Sequence, residues 1–129
     1  MNHLLLVMLG GGIGAGGRHL VSMAMLRLFG PGFPLGTLSV NIIGSLVMGL
    51  FIGWLVKHET ATGGLQSLRY FFATGILGGF TTFSAFSLDT AVLWERGDTH
   101  LALMYVAASV LLSITAVFAG LMIMRQVGS

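Results

Sequence analysis

The sequence contains no cysteine, only two prolines and very few charges. Without cysteine the chain can form neither disulfides nor thiolate metal sites, and thiol catalysis is excluded. Charged residues make up 8% of the 129 residues, against roughly 25% in a soluble domain. Six basic and four acidic side chains cannot keep a folded surface of this size in water. A soluble domain is therefore excluded.

Apolar residues make up 55% of the chain, and the mean hydropathy is +0.94. This composition indicates an integral membrane protein and excludes disorder, which requires low hydrophobicity. The 20 glycines suit transmembrane helices, because glycine lets helix backbones approach closely. The net charge of +2 rests on too few groups to imply nucleic acid as a partner. We predict one tightly packed membrane domain over residues 1–129.

Intervals without formal charge predict the membrane-spanning helices, since a span needs about 20 mostly apolar residues. The uncharged intervals are residues 1–17, 28–56, 70–88 and 99–124. We therefore predict an all-α membrane protein with four helices, at about 4–28, 36–56, 68–94 and 101–125. The predicted turns between them are Gly30–Pro34, Lys57–Gly64 and Glu95–His100.

Basic residues are almost balanced between the two sides of this four-span arrangement. One side carries Lys57, Arg69 and Arg125, and the other carries Arg27 and Arg96, with Arg18 inside or near the end of the first helix. The positive-inside rule orients a protein only through a bias. Two outcomes remain open: random but inert insertion, or joint use of both orientations. The second predicts an antiparallel dimer with a two-fold axis in the membrane plane.

Hydroxyl and amide groups stand on one face of two predicted helices. In the fourth, Tyr105, Ser109 and Ser113 are spaced four residues apart and so share a face. The serines either allow close packing and bond to carbonyls of their own helix, or form a ladder of uncharged donors for a small anion. In the second helix, Asn41 either joins helices, worth about 1 kcal/mol, or donates into a cavity that favours an anion.

The third predicted helix contains Gly75, Gly78 and Gly79, followed by residues with hydroxyl groups. This pattern predicts a break, since non-helical backbone at membrane depth persists only where protein or an aqueous cavity satisfies it. Carbonyls freed at such a break can coordinate a cation. Beyond it, Phe80, Phe83 and Phe86 follow one another at intervals of three residues. Such a stripe usually faces the core or lipid, but ring edges can also stabilise a passing anion weakly.

Arg18 follows a glycine-rich stretch of the first predicted helix. The pairs Gly10/Gly14 and Gly12/Gly16 are predicted to let other backbones touch this helix. Arg18 either attracts anions in a water-filled vestibule or reaches the lipid headgroups.

No arrangement of side chains suits catalysis, so an enzyme is not predicted. The spans hold no carboxylate pair, and the four histidines lack the spacing of metal ligands. A four-span, proton-coupled drug exporter would need a membrane-embedded acid, which the first helix lacks. A non-conducting scaffold subunit would explain the glycines but neither the aligned hydroxyls nor the break.

Three motifs carry a resemblance to a known family. They are Gly10-Gly11-Gly12-x-Gly14-x-x-x-Arg18, then Gly36-Thr37-Leu38-x-x-Asn41-x-x-Gly44, and then Gly75-x-x-Gly78-Gly79-Phe80-Thr81-Thr82-Phe83-Ser84-x-Phe86-Ser87. They resemble the Fluc fluoride channels, also called CrcB-type proteins, and the similarity extends over all four spans. The third motif is too specific to be a chance match.

The resemblance implies an antiparallel, dual-topology homodimer with two antiparallel pores. Such a protein is a fluoride-selective channel that exports F⁻ passively across the bacterial inner membrane and so relieves fluoride toxicity. Its partners are then a second copy of the chain, the fluoride ion and the lipid bilayer.

The resemblance also implies particular site residues. Backbone carbonyls of Gly78 and Thr81 would hold a structural Na⁺ at the dimer interface, and Arg18 would lie in the vestibule. The residues implied for the fluoride pore are Asn41, Phe83, Phe86, Ser84, Tyr105, Ser109 and Ser113.

Overall fold

The computed structural model describes residues 2–58 and 65–127, and nearly all of them are helical. In chain order the elements are α1 (Asn2–Phe29), α2 (Leu35–His58), α3 (Gln66–Leu68), a π-helical segment (Arg69–Leu77), α4 (Gly78–Phe80), α5 (Phe83–Glu95) and α6 (Thr99–Val127). Within the described residues, short turns join α1 to α2 and α5 to α6.

Four stretches are long and apolar enough to cross a membrane, which confirms the prediction of an all-helical protein with four candidate spans. The third span comprises everything from α3 to α5. The stretches are His3–Phe29, Leu35–His58, Gln66–Glu95 and Thr99–Val127. Of the predicted turn Lys57–Gly64, the part from residue 59 onward lies outside the described residues.

The turn before α2 and the turn after α5 arise from glycine and proline. Gly30 ends α1 with a φ of 78°, and its amide donates to the Leu26 carbonyl at 2.8 Å. A side chain rarely adopts this conformation, whereas glycine does so freely. Pro31 and Pro34 follow, and because proline has no backbone N–H to donate, neither can continue α1. Gly97, with a φ of 87°, plays the same part between α5 and α6.

Helices α2 and α6 pack along each other through glycine. A Cβ atom on Gly120 would lie 2.6 Å from the Leu46 carbonyl oxygen, so the two backbones approach closer than side chains allow. At the far end, the Lys57 ammonium donates to the carbonyls of Met124 and Arg125. These are last-turn carbonyls of α6, which have no partner inside their own helix. Lys57 therefore caps α6 from α2.

Helix α1 packs on the π-helical segment and α4 in the same way. A Cβ atom on Gly10 would meet the carbonyl oxygen of Phe71, and one on Gly14 would meet that of Ile76. Gly12 and Gly16 lie on the opposite side, where an added Cβ atom would meet no described atom within 4 Å beyond their own helix. The prediction of close contacts is thus confirmed for Gly10/Gly14. Gly12/Gly16 make no such contact within the described chain, because the two pairs lie on different faces of α1.

The two faces of α1 give a direct test of this packing. We expect Gly14→Ala to lower the free energy of unfolding by about 1–3 kcal/mol, since the new Cβ atom overlaps backbone that cannot yield. Denaturant unfolding in detergent micelles measures the loss. The matched control is Gly12→Ala, which meets open space and should be neutral or stabilising by up to about 1 kcal/mol through helix propensity. Equal losses in both variants would contradict the contact.

Candidate functional site

The third span is interrupted at Thr81 and Thr82. Helix α4 ends at Phe80, where the Thr81 amide donates to the Leu77 carbonyl at 3.0 Å. Thr81 (φ −87°, ψ 159°) and Thr82 (φ −155°, ψ 128°) then adopt extended backbone before α5 begins. Apart from the Thr81 amide, the backbone groups of these two residues lie outside the helical hydrogen-bond ladder and require other partners.

Asn41 of α2 supplies two of these partners. Its Oδ1 atom accepts from the Thr82 amide at 2.8 Å, and its Nδ2 atom donates to the Thr82 carbonyl at 3.0 Å. The Thr82 hydroxyl oxygen in turn accepts from the Ala85 amide at 3.1 Å and so caps α5. One side chain from a neighbouring helix thus pairs with both backbone groups of an extended residue.

Because of these bonds, two backbone amides do not donate to the carbonyls that would accept from them in a continuous helix. In an α-helix the Thr82 amide would donate to Gly78, and the Ala85 amide would donate to Thr81. Here the two amides donate to Asn41 and to the Thr82 hydroxyl instead. Between these positions, the Gly79 carbonyl accepts from the Arg18 Nε atom at 3.1 Å. The carbonyls of Gly78 and Thr81 have therefore lost their helical partners.

A cavity of about 340 Å³ lies beside the interruption, between α2, α5 and α6. Its wall combines uncharged polar groups with two aromatic rings. The polar side chains are Asn41, Ser45, Thr81, Thr82, Ser109 and Ser113, and the rings are those of Phe83 and Phe86.

Two serine hydroxyls on this wall are buried without a hydrogen-bond partner. The Oγ atoms of Ser109 and Ser113 have none within residues 2–58 and 65–127, and the Ser109 residue is 5% exposed. Buried hydroxyls are ordinarily paired, because leaving one unpaired costs about 1–3 kcal/mol. Neither serine bonds to a carbonyl of its own helix, which was one of the two explanations for their spacing. Both residues line the cavity, and neither hydroxyl is committed to another group of the described chain.

An aromatic series runs from the cavity toward the end of the membrane span. The rings of Phe83 and Phe86 lie 5.5 Å apart, and those of Phe86 and Tyr105 lie 5.2 Å apart. Phe86 and Tyr105 are buried, whereas Phe83 is 77% exposed. Tyr105 therefore lies behind Phe86 rather than on the cavity wall.

The Tyr105 hydroxyl donates to Asp89 Oδ2 at 3.1 Å. Asp89 and Thr37 line a second cavity, of about 350 Å³, at the ends of α1, α2 and α5. Arg96 also lines it, pairs with Asp98 at 2.7 Å and donates to the Gly32 carbonyl. From its place near the end of the third predicted helix, Asp89 is an acid at headgroup level without a predicted role. Its position three residues after Phe86, on the same face of α5, is the signal that could have found it.

The other two residues implied by resemblance adjoin the interruption rather than the first cavity. Arg18 is half-buried, and its Nε atom donates to the Gly79 carbonyl. Ser84 is exposed, with its hydroxyl 3.2 Å from that of Thr82. The structure thus brings Asn41, Phe83, Phe86, Ser109 and Ser113 around one cavity.

Side-chain chemistry offers no ready metal site in the described part of the chain. No group of three or more histidine, cysteine, aspartate or glutamate residues there is placed to hold a metal ion. Backbone oxygens at the interruption are the remaining candidates for a hard cation, which prefers oxygen ligands.

Comparison with known proteins identifies the family. Residues 5–121 match the model described as CrcB-like protein, Camphor Resistance (CrcB). The chain belongs to the CrcB family. This confirms the resemblance seen in the three motifs, and it accounts for nearly the whole chain.

Relatives of this chain align with it almost from end to end. The chain is 57% identical over 126 residues to the Fluoride-specific ion channel FluC of Mesorhizobium japonicum. It is 55% identical to the protein of that name from Sphingopyxis alaskensis, and 46% identical to that from Caulobacter vibrioides. Each alignment covers 98% of both sequences. Together with the four apolar helices, this makes the chain a multi-pass membrane protein.

The unpaired hydroxyls predict an unusual response to mutation. Ser109→Ala should leave the free energy of unfolding unchanged or raise it by up to about 1 kcal/mol, because it removes a buried group with no partner. Denaturant unfolding in detergent measures the change. Thr82→Ala is the comparison, since its hydroxyl caps α5, and it should cost about 1 kcal/mol. A comparable loss in Ser109→Ala would show that its hydroxyl is paired.

Proposed function

We propose that this chain forms a fluoride-selective channel, and that F⁻ moves passively through the cavity between α2, α5 and α6. The observation that carries the proposal is the pair of unpartnered serine hydroxyls buried in the cavity wall beside an amide and two aromatic rings. The relatives are named fluoride-specific ion channels, which supports fluoride as the ion.

The chemistry of the wall suits a small anion. Hydroxyl groups donate hydrogen bonds without carrying charge, so Ser109 and Ser113 can replace part of the hydration of F⁻. The edges of Phe83 and Phe86 carry the positive end of the ring quadrupole and add weak attraction. Several weak sites let an ion enter and leave, as conduction requires. Within the described residues no acidic side chain lines this cavity, and Asp89 faces the other one.

The proposal includes the pore residues implied by the family resemblance. Asn41, Phe83, Phe86, Ser109 and Ser113 line the cavity, which supports their assignment to the pore. Tyr105 would extend the series past Phe86, and its contact with that ring supports this. Ser84 and Arg18 would act at the approach to the pore, Arg18 by drawing anions into a vestibule.

We also propose that the channel is an antiparallel homodimer with two antiparallel pores in the bacterial inner membrane, where it relieves fluoride toxicity. The nearly even division of basic residues supports insertion in both orientations. The exposed ring of Phe83 beside the cavity supports the presence of a second copy. A large aromatic side chain next to polar groups is a typical interface residue.

A structural Na⁺ at the dimer interface is part of the same proposal. The carbonyls of Gly78 and Thr81 fit such an ion, since both have lost the amides that a continuous helix would supply. A two-fold axis would double this donor set to four oxygens, the ligand type that hard cations prefer. The positive charge would make the interior more favourable for F⁻.

Ion flux from liposomes tests the proposed function. Purified protein in vesicles loaded with fluoride should release F⁻, measured with a fluoride electrode, and vesicles loaded with chloride should retain Cl⁻. The uncharged donors suit the smaller, more strongly hydrogen-bonding ion. Protein-free vesicles are the control. Equal release of the two ions, or no release of F⁻, would refute the proposal.

The phenylalanine rings give a second test. Phe83→Ile and Phe86→Ile remove the ring edge and should slow F⁻ release about tenfold, the equivalent of about 1.4 kcal/mol and within the range of aromatic interactions. Flux from liposomes and oligomeric state by size-exclusion chromatography are measured together. The matched control is Phe118→Ile on α6, whose ring is 59% exposed and lies outside the cavity. Unchanged flux in the first two variants would remove them from the pore.

A further inference from the structure

We propose that Asn41 is a positioning residue whose amide holds the extended segment Thr81–Thr82 in place. In this role it sets the backbone from which α5 begins, and it keeps the Gly78 carbonyl free of its helical partner. The backbone role stands on the geometry alone. Its consequence for conduction rests on the function proposed above.

The Asn41 side-chain amide bonds to both the N–H and the C=O of Thr82, as the backbone of a neighbouring β-strand would. One oxygen accepts from the Thr82 N–H and one nitrogen donates to the Thr82 C=O, at 2.8 and 3.0 Å. Of the side chains this short, only asparagine offers both an amide donor and a carbonyl acceptor. Aspartate in its ionised form can accept but cannot donate, and alanine can do neither.

The membrane makes this pairing costly to lose. In hydrocarbon an unsatisfied backbone group costs several kcal/mol, because no water is present to replace the partner. Thr82 exposes two such groups once it leaves the helical ladder. Asn41 is therefore not a chance contact but the partner that allows extended backbone at this depth.

Helix α2 is shaped to bring Asn41 to this point. Gly44 lies three residues further along, on the same face of α2. A Cβ atom on Gly44 would run into the Thr81 side chain and lie 3.3 Å from the Phe80 ring. The missing side chain lets α2 approach the interruption closely enough for the Asn41 amide to reach the Thr82 backbone.

The same hydrogen bond determines where free carbonyls occur. Without Asn41 the Thr82 amide could return to the Gly78 carbonyl and extend α4 by one residue. That return would remove one of the two freed oxygens and displace the start of α5, which carries Phe83. Asn41 thus couples the proposed cation ligands to the cavity wall, since both depend on the conformation of the same two residues.

Backbone amide exchange, measured by NMR in detergent micelles, tests the proposal without any fluoride present. In Asn41→Ala the Thr82 amide should exchange about tenfold faster than in the wild type, as expected for the loss of one hydrogen bond. In Asn41→Asp, which keeps the acceptor, the exchange rate should stay within about twofold. The matched control is Ser45→Ala, one turn along α2 on the same cavity, which should leave this amide unchanged.

Asn41→Leu is a second variant, with an apolar side chain of similar size that leaves no cavity. It keeps the test decisive if Asn41→Ala fails to fold. Faster exchange at Thr82 in either apolar variant, with protection retained in Asn41→Asp, supports the positioning role. Loss of F⁻ flux with unchanged Thr82 exchange in the apolar variants would overturn it and make Asn41 an ion ligand instead. If the wild type conducts no fluoride, the proposed function fails while the exchange result still decides the role of Asn41.

Discussion

The rest of this structure depends on one constraint: a polar backbone group inside a membrane must have a partner within the protein. The third span departs from the helix at Thr81 and Thr82, so it must find partners for groups that a helix would have paired. Asn41 and the Thr82 hydroxyl provide them. Each bond made in this way also leaves a carbonyl behind it unpaired. The same few contacts therefore stabilise the interruption and leave its carbonyls available to other ligands.

Close packing of glycines supports this arrangement. Gly10 and Gly14 let α1 touch the π-helical segment, and Gly44 lets α2 reach Thr81. Because these backbones lie in contact, the polar groups of one helix can reach the backbone of the next. The cavity follows from the same geometry, since α6 packs on α2 and presents Ser109 beside the interruption. A few glycines thus position donors that no single helix could bring together.

Much of the fold and part of the site could be predicted from the order of residues. Charge-free intervals gave four spans close to those observed, because hydrophobic length is a local property. The four-residue spacing of Tyr105, Ser109 and Ser113 gave a shared helix face for the same reason. The partner of each side chain could not be predicted. Asn41 and Thr82 are 41 residues apart, and the link between Tyr105 and Asp89 joins different helices.

The amino-acid sequence alone establishes a four-span helical membrane protein of the CrcB family with a polar, glycine-rich third span. Periodicity, charge and motif spacing suffice for this, because each acts over a few residues. The folded molecule was needed to show that Gly12 and Gly16 lie away from the helix contacts, and that two serine hydroxyls remain unpaired. It was needed equally to show that Asn41 pairs with backbone. A hydrogen bond between distant segments requires a donor–acceptor distance that is correct to a few tenths of an ångström. Helix packing determines that distance, and sequence spacing does not.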